Sequence, residues 1–156
     1  MRIVLALLIL LGSLSVSANE FDDTKALAEQ GDADAQFALG YNYYAGKGTP
    51  QDYKEALKWY RASAEQGDQY AQSSLAKMYY DGEGAPQDYK EALRWFKASA
   101  VQGYASSQYY LAIMYQNGEG TIQDYKEAFK WFGASAEQGN DGAQNDLAVL
   151  YSNGEG

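Results

Sequence analysis

The sequence predicts an all-α protein, an α/α solenoid of helix-turn-helix units that recur every 36 residues. Three observations predict it. The hexapeptide QDYKEA stands at Gln51 to Ala56, at Gln87 to Ala92 and at Gln123 to Ala128. The same interval relates Gln30-Gly31, Gln66-Gly67, Gln102-Gly103 and Gln138-Gly139, and it relates Trp59, Trp95 and Trp131. Leu39, Leu75, Leu111 and Leu147 follow it too, within apolar stripes of helical spacing. Units of this length cannot bury their apolar faces alone and must stack on their neighbours.

Residues 1–18 read as a secretory signal peptide: Met1-Arg2 is a basic start, Ile3 to Leu14 is nearly all apolar, and Val16-Ser17-Ala18 offers small residues for cleavage after Ala18. About a dozen apolar residues fall short of the roughly 20 that a spanning helix needs. The expected location is therefore periplasmic or secreted, with no stable membrane insertion. The chain has no cysteine, which excludes a lipidated N-terminal cysteine and leaves an exported fold to be held by packing without disulfides. The net charge is −9, and loss of Arg2 makes it one unit more negative. That sign argues against nucleic acid, which needs a basic stripe, and favours a protein partner of basic character.

The remaining chain divides into an N-terminal capping half-repeat at 19–31, full units at 32–67, 68–103 and 104–139, and a half-repeat at 140–156. Shifting by one period places Phe21 on Leu57 and Lys25 on Arg61, so the first segment is the back half of a second helix. In the first full unit Asp32 or a neighbour caps a helix from about Ala33 to Ala45, with Ala35, Leu39, Gly40 and Tyr43 at helical spacing. Gly46 and Gly48 end it and recur in every unit, as expected of a turn that needs positive φ or close backbone approach. A second helix starts at Asp52, with Glu55 three residues on to complete a capping box. It turns Tyr53, Ala56, Trp59, Tyr60, Ser63 and Ala64 inward and Lys54, Lys58 and Arg61 outward, and stops at Gly67. The identical residues of every unit, the tryptophans together with Tyr43, Tyr79, Tyr115 and Tyr151, are expected to be structural.

The pattern Ala35, Leu39-Gly40, Tyr43, Gly46, Gly48, Asp52, Ala56, Trp59-Tyr60, Ala64, Glu65-Gln66-Gly67 resembles the Sel1-like repeat, a relative of the tetratricopeptide repeat. Departures are few: Gly40 becomes Ala76, Ala112 and Ala148, Ala35 becomes Ser107, and Ser63, Ser99 and Ser135 stand where the family usually has alanine. The resemblance implies a superhelix whose first helices line a concave surface. It also implies a non-enzymatic role as adaptor, regulator of signalling complexes or immunity protein against a secreted toxin.

Histidine and cysteine are both missing, which removes imidazole bases, thiol nucleophiles and ordinary zinc sites, and no cofactor or metal is expected. Ser74-Leu75-Ala76-Lys77 has the SxxK spacing of serine β-lactamases, and Tyr151-Ser152-Asn153 has a YxN form. Leu75 and Ala76 nevertheless sit in the structural register of Leu39-Gly40, and no KTG triad exists, so a serine hydrolase is a remote alternative. The acidic turns at Glu83 and Glu119 lack the closing glutamate of a calcium loop, and Lys47 shares their register.

Function is expected instead where the units differ. On the first helices, positions 34, 37, 41 and 44 and their repeats lie opposite the fixed stripe. The candidate partner-binding residues drawn from this face are Phe37, Tyr41, Tyr44, Tyr70, Lys77, Tyr80, Tyr109 and Ile113. Tyrosine supplies large amphipathic area at low entropic cost, which suits a groove for a protein or peptide. A toxin or envelope signalling protein fits that class. The alternative is a cell-wall glycan stacked on Tyr41, Tyr70 and Tyr109.

Overall fold

Eight helices and their turns make up the residues that the computed structural model describes, 20–154; the predicted signal peptide lies outside the described residues. Helix α1 covers 20–29. It is followed by α2 (Ala33–Ala45), α3 (Tyr53–Glu65), α4 (Gln69–Asp81), α5 (Tyr89–Ala100), α6 (Ala105–Asn117), α7 (Tyr125–Glu137) and α8 (Asp141–Asn153). Each helix packs chiefly on its neighbours in sequence, the pattern of a solenoid. Among the described residues no helix is long and apolar enough to cross a membrane.

The first helices start where an oxygen-bearing side chain precedes them. Asp32, Asp68 and Asn140 accept the N–H groups of Ala35, Ala71 and Ala143 at 2.8, 2.6 and 2.9 Å. Tyr104 holds the same position before α6 and gives no such bond. The second helices start at Asp52, Asp88 and Asp124, each of which accepts two N–H groups of the first turn. The reciprocal half of the expected capping box is not formed. The Asp52 N–H donates instead to the Tyr43 carbonyl at 2.9 Å, and Asp88 and Asp124 repeat the bond to Tyr79 and Tyr115. The glutamates released from that duty pair with Lys58, Arg94 and Lys130 on the exposed face.

The core runs along the stack through Leu39, Leu75, Leu111 and Leu150, with Ala56, Ala92 and Ala128 fully buried on the second helices. Phe96 and Phe132 are also fully buried, Tyr60 nearly so, and Trp95 is 6% exposed. At the two ends Phe21 and Phe129 stand in the register that Leu57 and Leu93 hold in the middle of the stack. Phe21 meets Tyr43 edge-on at 5.6 Å, and Phe129 meets Tyr151 edge-on at 4.8 Å. The first pair puts α1 in the register of a second helix. Tyr151 departs from the expected structural role: it is 69% exposed, because no described helix lies beyond α8 to cover its other side.

The distance between units is set in the turns. Gly84 has φ +74, and a Cβ there would lie 2.3 Å from the Tyr53 carbonyl oxygen of the preceding unit; Gly120 has φ +70 and stands in the same relation to Tyr89. No side chain fits in that space. We expect Gly84→Ala to destabilise the protein by about 3 kcal/mol or more, against about 1–2 kcal/mol for Gly67→Ala, whose φ of +99 is left-handed but whose surroundings are open. Chemical denaturation of the two variants checks the difference. Trp95→Ala should cost about 3–5 kcal/mol in the same assay.

Candidate functional site

The variable face of the first helices opens into a cleft of about 380 Å³. Its lining begins with Phe37, Tyr41 and Tyr44 from α2, continues through Tyr70, Ser73, Ser74, Lys77 and Met78 from α4, and ends at Ser106 and Tyr110 from α6. Tyr60 of α3 and Phe96 of α5 come up between the first helices, while Glu83 and Tyr104 enter from the connecting turns. Tyr60 approaches because Gly40 makes room for it: a Cβ at Gly40 would sit 2.6 Å from the ring, where later units carry alanine.

Of the residues expected from sequence, the cleft brings together Phe37, Tyr41, Tyr44, Tyr70 and Lys77. Tyr41 and Tyr70 are the most open, at 52% and 47% exposed. Tyr80, Tyr109 and Ile113 lie outside it and are half-buried. Tyr80 packs among Tyr89, Phe96 and Tyr110, and its hydroxyl donates to Glu119 at 3.0 Å. Tyr109 rests on Phe132 and against Gly142, and Ile113 joins the core around Phe132.

Among the lining residues that the expected face omits are Tyr60, Glu83, Phe96, Tyr104 and Tyr110. Two of them left a mark in the sequence. Tyr104 interrupts the capping series Asp32, Asp68, Asn140, and Tyr110 interrupts the small or acidic series Ala38, Ser74, Asp146. Tyr104 gives up the cap and meets Tyr70 edge-on at 5.2 Å. Tyr110 stacks on Phe96 at 5.0 Å with the rings nearly parallel. With Phe37 lying 5.7 Å from Tyr60 and 6.2 Å from Tyr70, the rings form an almost continuous wall.

The polar groups in this wall are mostly engaged with one another. Lys77 Nζ is bonded to Asp81 and lies 5.7 Å over the Tyr110 ring. Ser74 faces the Tyr60 hydroxyl, so Ser74 and Lys77 of the SxxK sequence have separate partners. Glu83 faces Tyr44, as Glu119 faces Tyr80 one unit on. Among the described residues no group of three or more histidine, cysteine, aspartate or glutamate side chains could hold a metal ion.

Burial raises the pKa of the Tyr60 and Tyr80 phenols far above 10.0, and for Tyr80 the Glu119 carboxylate adds to the effect. Burial followed by the Glu83 charge raises Tyr44, and burial followed by Asp146 raises Tyr109. Each phenol is therefore a weaker acid in the folded chain than in the unfolded one. Their contribution to stability is whole below about pH 10 and is lost as pH rises beyond it, because the unfolded chain releases these protons first. Denaturation midpoints measured from about pH 9 to about pH 11 should fall, and Tyr80→Phe should flatten the decline.

Comparison with known proteins places this geometry in a family. The Sel1 repeat model matches residues 33–68, 69–104, 105–140 and 142–156. A search of curated proteins found no match. Among solved structures, the chain is similar to a protective antigen present in uropathogenic Escherichia coli strains that displays an SLR fold, with 41% identity and a TM-score of 0.83 over 86% of this chain. It is also similar to a Sel1 repeat protein from Oxalobacter formigenes, with 34% identity and a TM-score of 0.85 over 89% of this chain. The chain spans 29% and 57% of the lengths of those two proteins. Cysteine-rich protein B of Helicobacter pylori shares the fold at 17% identity, with a TM-score of 0.64 over 86% of this chain and 95% of its own. Sel1 repeat proteins are generally protein-interaction modules, typically non-catalytic. With its repeats matched from residue 33 to residue 156, the chain belongs to the Sel1 repeat family.

Proposed function

We propose that this protein is an exported, non-enzymatic interaction module that holds a segment of a protein partner in the aromatic cleft. Its role is that of an adaptor, regulator or immunity-type inhibitor, with a toxin or envelope signalling protein as the class of partner. The observation that carries the binding reading is the loss of the Tyr104 cap. A helix start that the other first helices secure with a side-chain hydrogen bond is left without one, and the residue in that place lines the cleft instead. A cap is worth about 1 kcal/mol to a helix. Folding alone favours aspartate or asparagine here, whereas a binding wall favours the ring.

Two further features support the reading. Tyr41 and Tyr70 keep about half their surface open beside rings that are fixed by packing, so binding freezes few side chains. The apolar signal-like stretch before Ala18 supports export.

The variant Tyr104→Asn separates the two demands. The cap gained, about 1 kcal/mol, offsets the aromatic pair lost, also about 1 kcal/mol. The melting temperature should therefore stay near that of the unchanged protein while affinity for the partner falls. Tyr41→Ser and Tyr70→Ser should likewise keep full helical signal and each lower affinity by about tenfold. The partner is sought by affinity capture from periplasmic and secreted extract, with the double serine variant as control. Retention of peptidoglycan fragments alone, insensitive to salt, would replace the protein partner with a glycan.

A further inference from the structure

We infer that the cleft receives an arginine side chain of its partner, anchored by the Glu83 carboxylate; this rests on the reading of the cleft as a site for a protein segment. Two glutamates occupy the same register in successive turns, and they differ in how their oxygens are satisfied. Glu119 is satisfied at both oxygens, with Oε2 accepting from the Tyr80 hydroxyl at 3.0 Å and Oε1 from Asn117 Nδ2 at 3.3 Å. In the preceding unit the place of Asn117 is taken by Asp81, a carboxylate with no N–H to give. Asp81 is turned to Lys77. Glu83 stays beside Tyr44 but accepts neither of the two hydrogen bonds that Glu119 accepts, and its Oε2 is buried with no hydrogen-bond partner in the protein.

A buried carboxylate oxygen without a donor is unfavourable, and a positively charged donor completes it best. The protein's own cation in this cleft is held by Asp81. Glu83 as a whole is half-buried, and the terminal torsion of a glutamate is soft, so the carboxylate can turn toward the cleft. That cleft is lined by the rings of Phe37, Tyr41 and Tyr44, with Tyr44 beside Glu83. Those surroundings select a flat cation. A guanidinium gives a carboxylate two parallel N–H bonds while its plane stacks on aromatic rings, whereas an ammonium is a point charge with a tightly held hydration shell. A cleft of about 380 Å³ has room for such a side chain and part of its neighbours. The net charge of −9 draws a basic segment in.

The test begins with short random peptides displayed on phage and selected on the immobilised protein. The strongest binders are then synthesised in two forms, with arginine and with citrulline, its uncharged isostere, and measured by calorimetry. The expected result is a shared arginine whose replacement by citrulline weakens binding by about tenfold or more. Glu83→Gln should weaken the arginine form by a similar factor and leave the citrulline form unchanged. If Tyr41→Ser abolishes binding but citrulline is tolerated, or Glu83→Gln binds the arginine form as tightly, the arginine inference is overturned and the cleft reading stands. If no peptide is selected, or the selected peptides ignore Tyr41→Ser and Tyr70→Ser, the cleft reading falls and the arginine inference with it.

Discussion

The stack depends on how its buried helix ends are satisfied. The last carbonyls of a helix have no partner within it, and in a solenoid the second helix of each unit ends against the next unit, where water cannot reach all of them. Glutamines solve this at each junction. Gln36, Gln72 and Gln108 donate to the carbonyls of Ala28, Ala64 and Ala100 at 3.2 Å, and Gln144 donates to that of Ala136 at 3.3 Å. The first three in turn accept from Gln66, Gln102 and Gln138 at 2.7 to 2.8 Å, and Gln66 and Gln102 also donate to the carbonyls of Gly31 and Gly67. Each side chain is both donor and acceptor, so one amide ties three helices together. Neither a carboxylate nor an apolar residue could take its place without stranding a buried group.

Around that chain of amides the close contacts follow. Ser99 and Ser135 are fully buried and donate to the first-turn carbonyls of Gln69 and Ala105 at 2.8 Å, which explains serine at those two positions, whereas Ser63 is buried without a partner and its serine has no structural explanation. Gly84 and Gly120 bring each turn onto the first residue of the preceding second helix. Helix ends and turns thus fix the separation of units, and the buried aromatic rings fill what that separation leaves. A residue on the variable face inherits its position from this framework and can change without disturbing it.

The framework was legible because it repeats. A period marked by three copies of QDYKEA, with the caps and glycines riding on it, determines helix order, turn conformation and the core leucines Leu39, Leu75 and Leu111, and the structure bears these out; in the last helix Leu147 is half-buried and Leu150 is the buried residue instead. The glutamine pairs were visible as a fixed register, but their role was not, since it requires knowing which carbonyls lose their partners. Helical spacing assigned Tyr80, Tyr109 and Ile113 to the same face as Tyr41 and Tyr70, and the backbone does place them there. Spacing carries no information on what crosses from the next unit, however, and Glu119, Phe132 and Gly142 close over them. The omitted lining residues were hidden for the complementary reason. Glu83 and Tyr104 lie outside the regular helices, and Tyr60 sits on a core register of the opposite helix type.

What distinguishes the cleft is therefore a set of interruptions, and they fall close together. Gly40, where later units carry alanine, admits Tyr60; Tyr104 in place of a capping residue meets Tyr70; Glu83 keeps a buried oxygen without a donor. Taken singly, each is unfavourable or neutral for folding: a helix glycine, an uncapped helix start, a buried oxygen unsatisfied. All three act on one cleft. In a repeat protein the regular positions explain why the chain stacks, and a cluster of unfavourable departures on one surface is the physical sign that something other than stacking is served there.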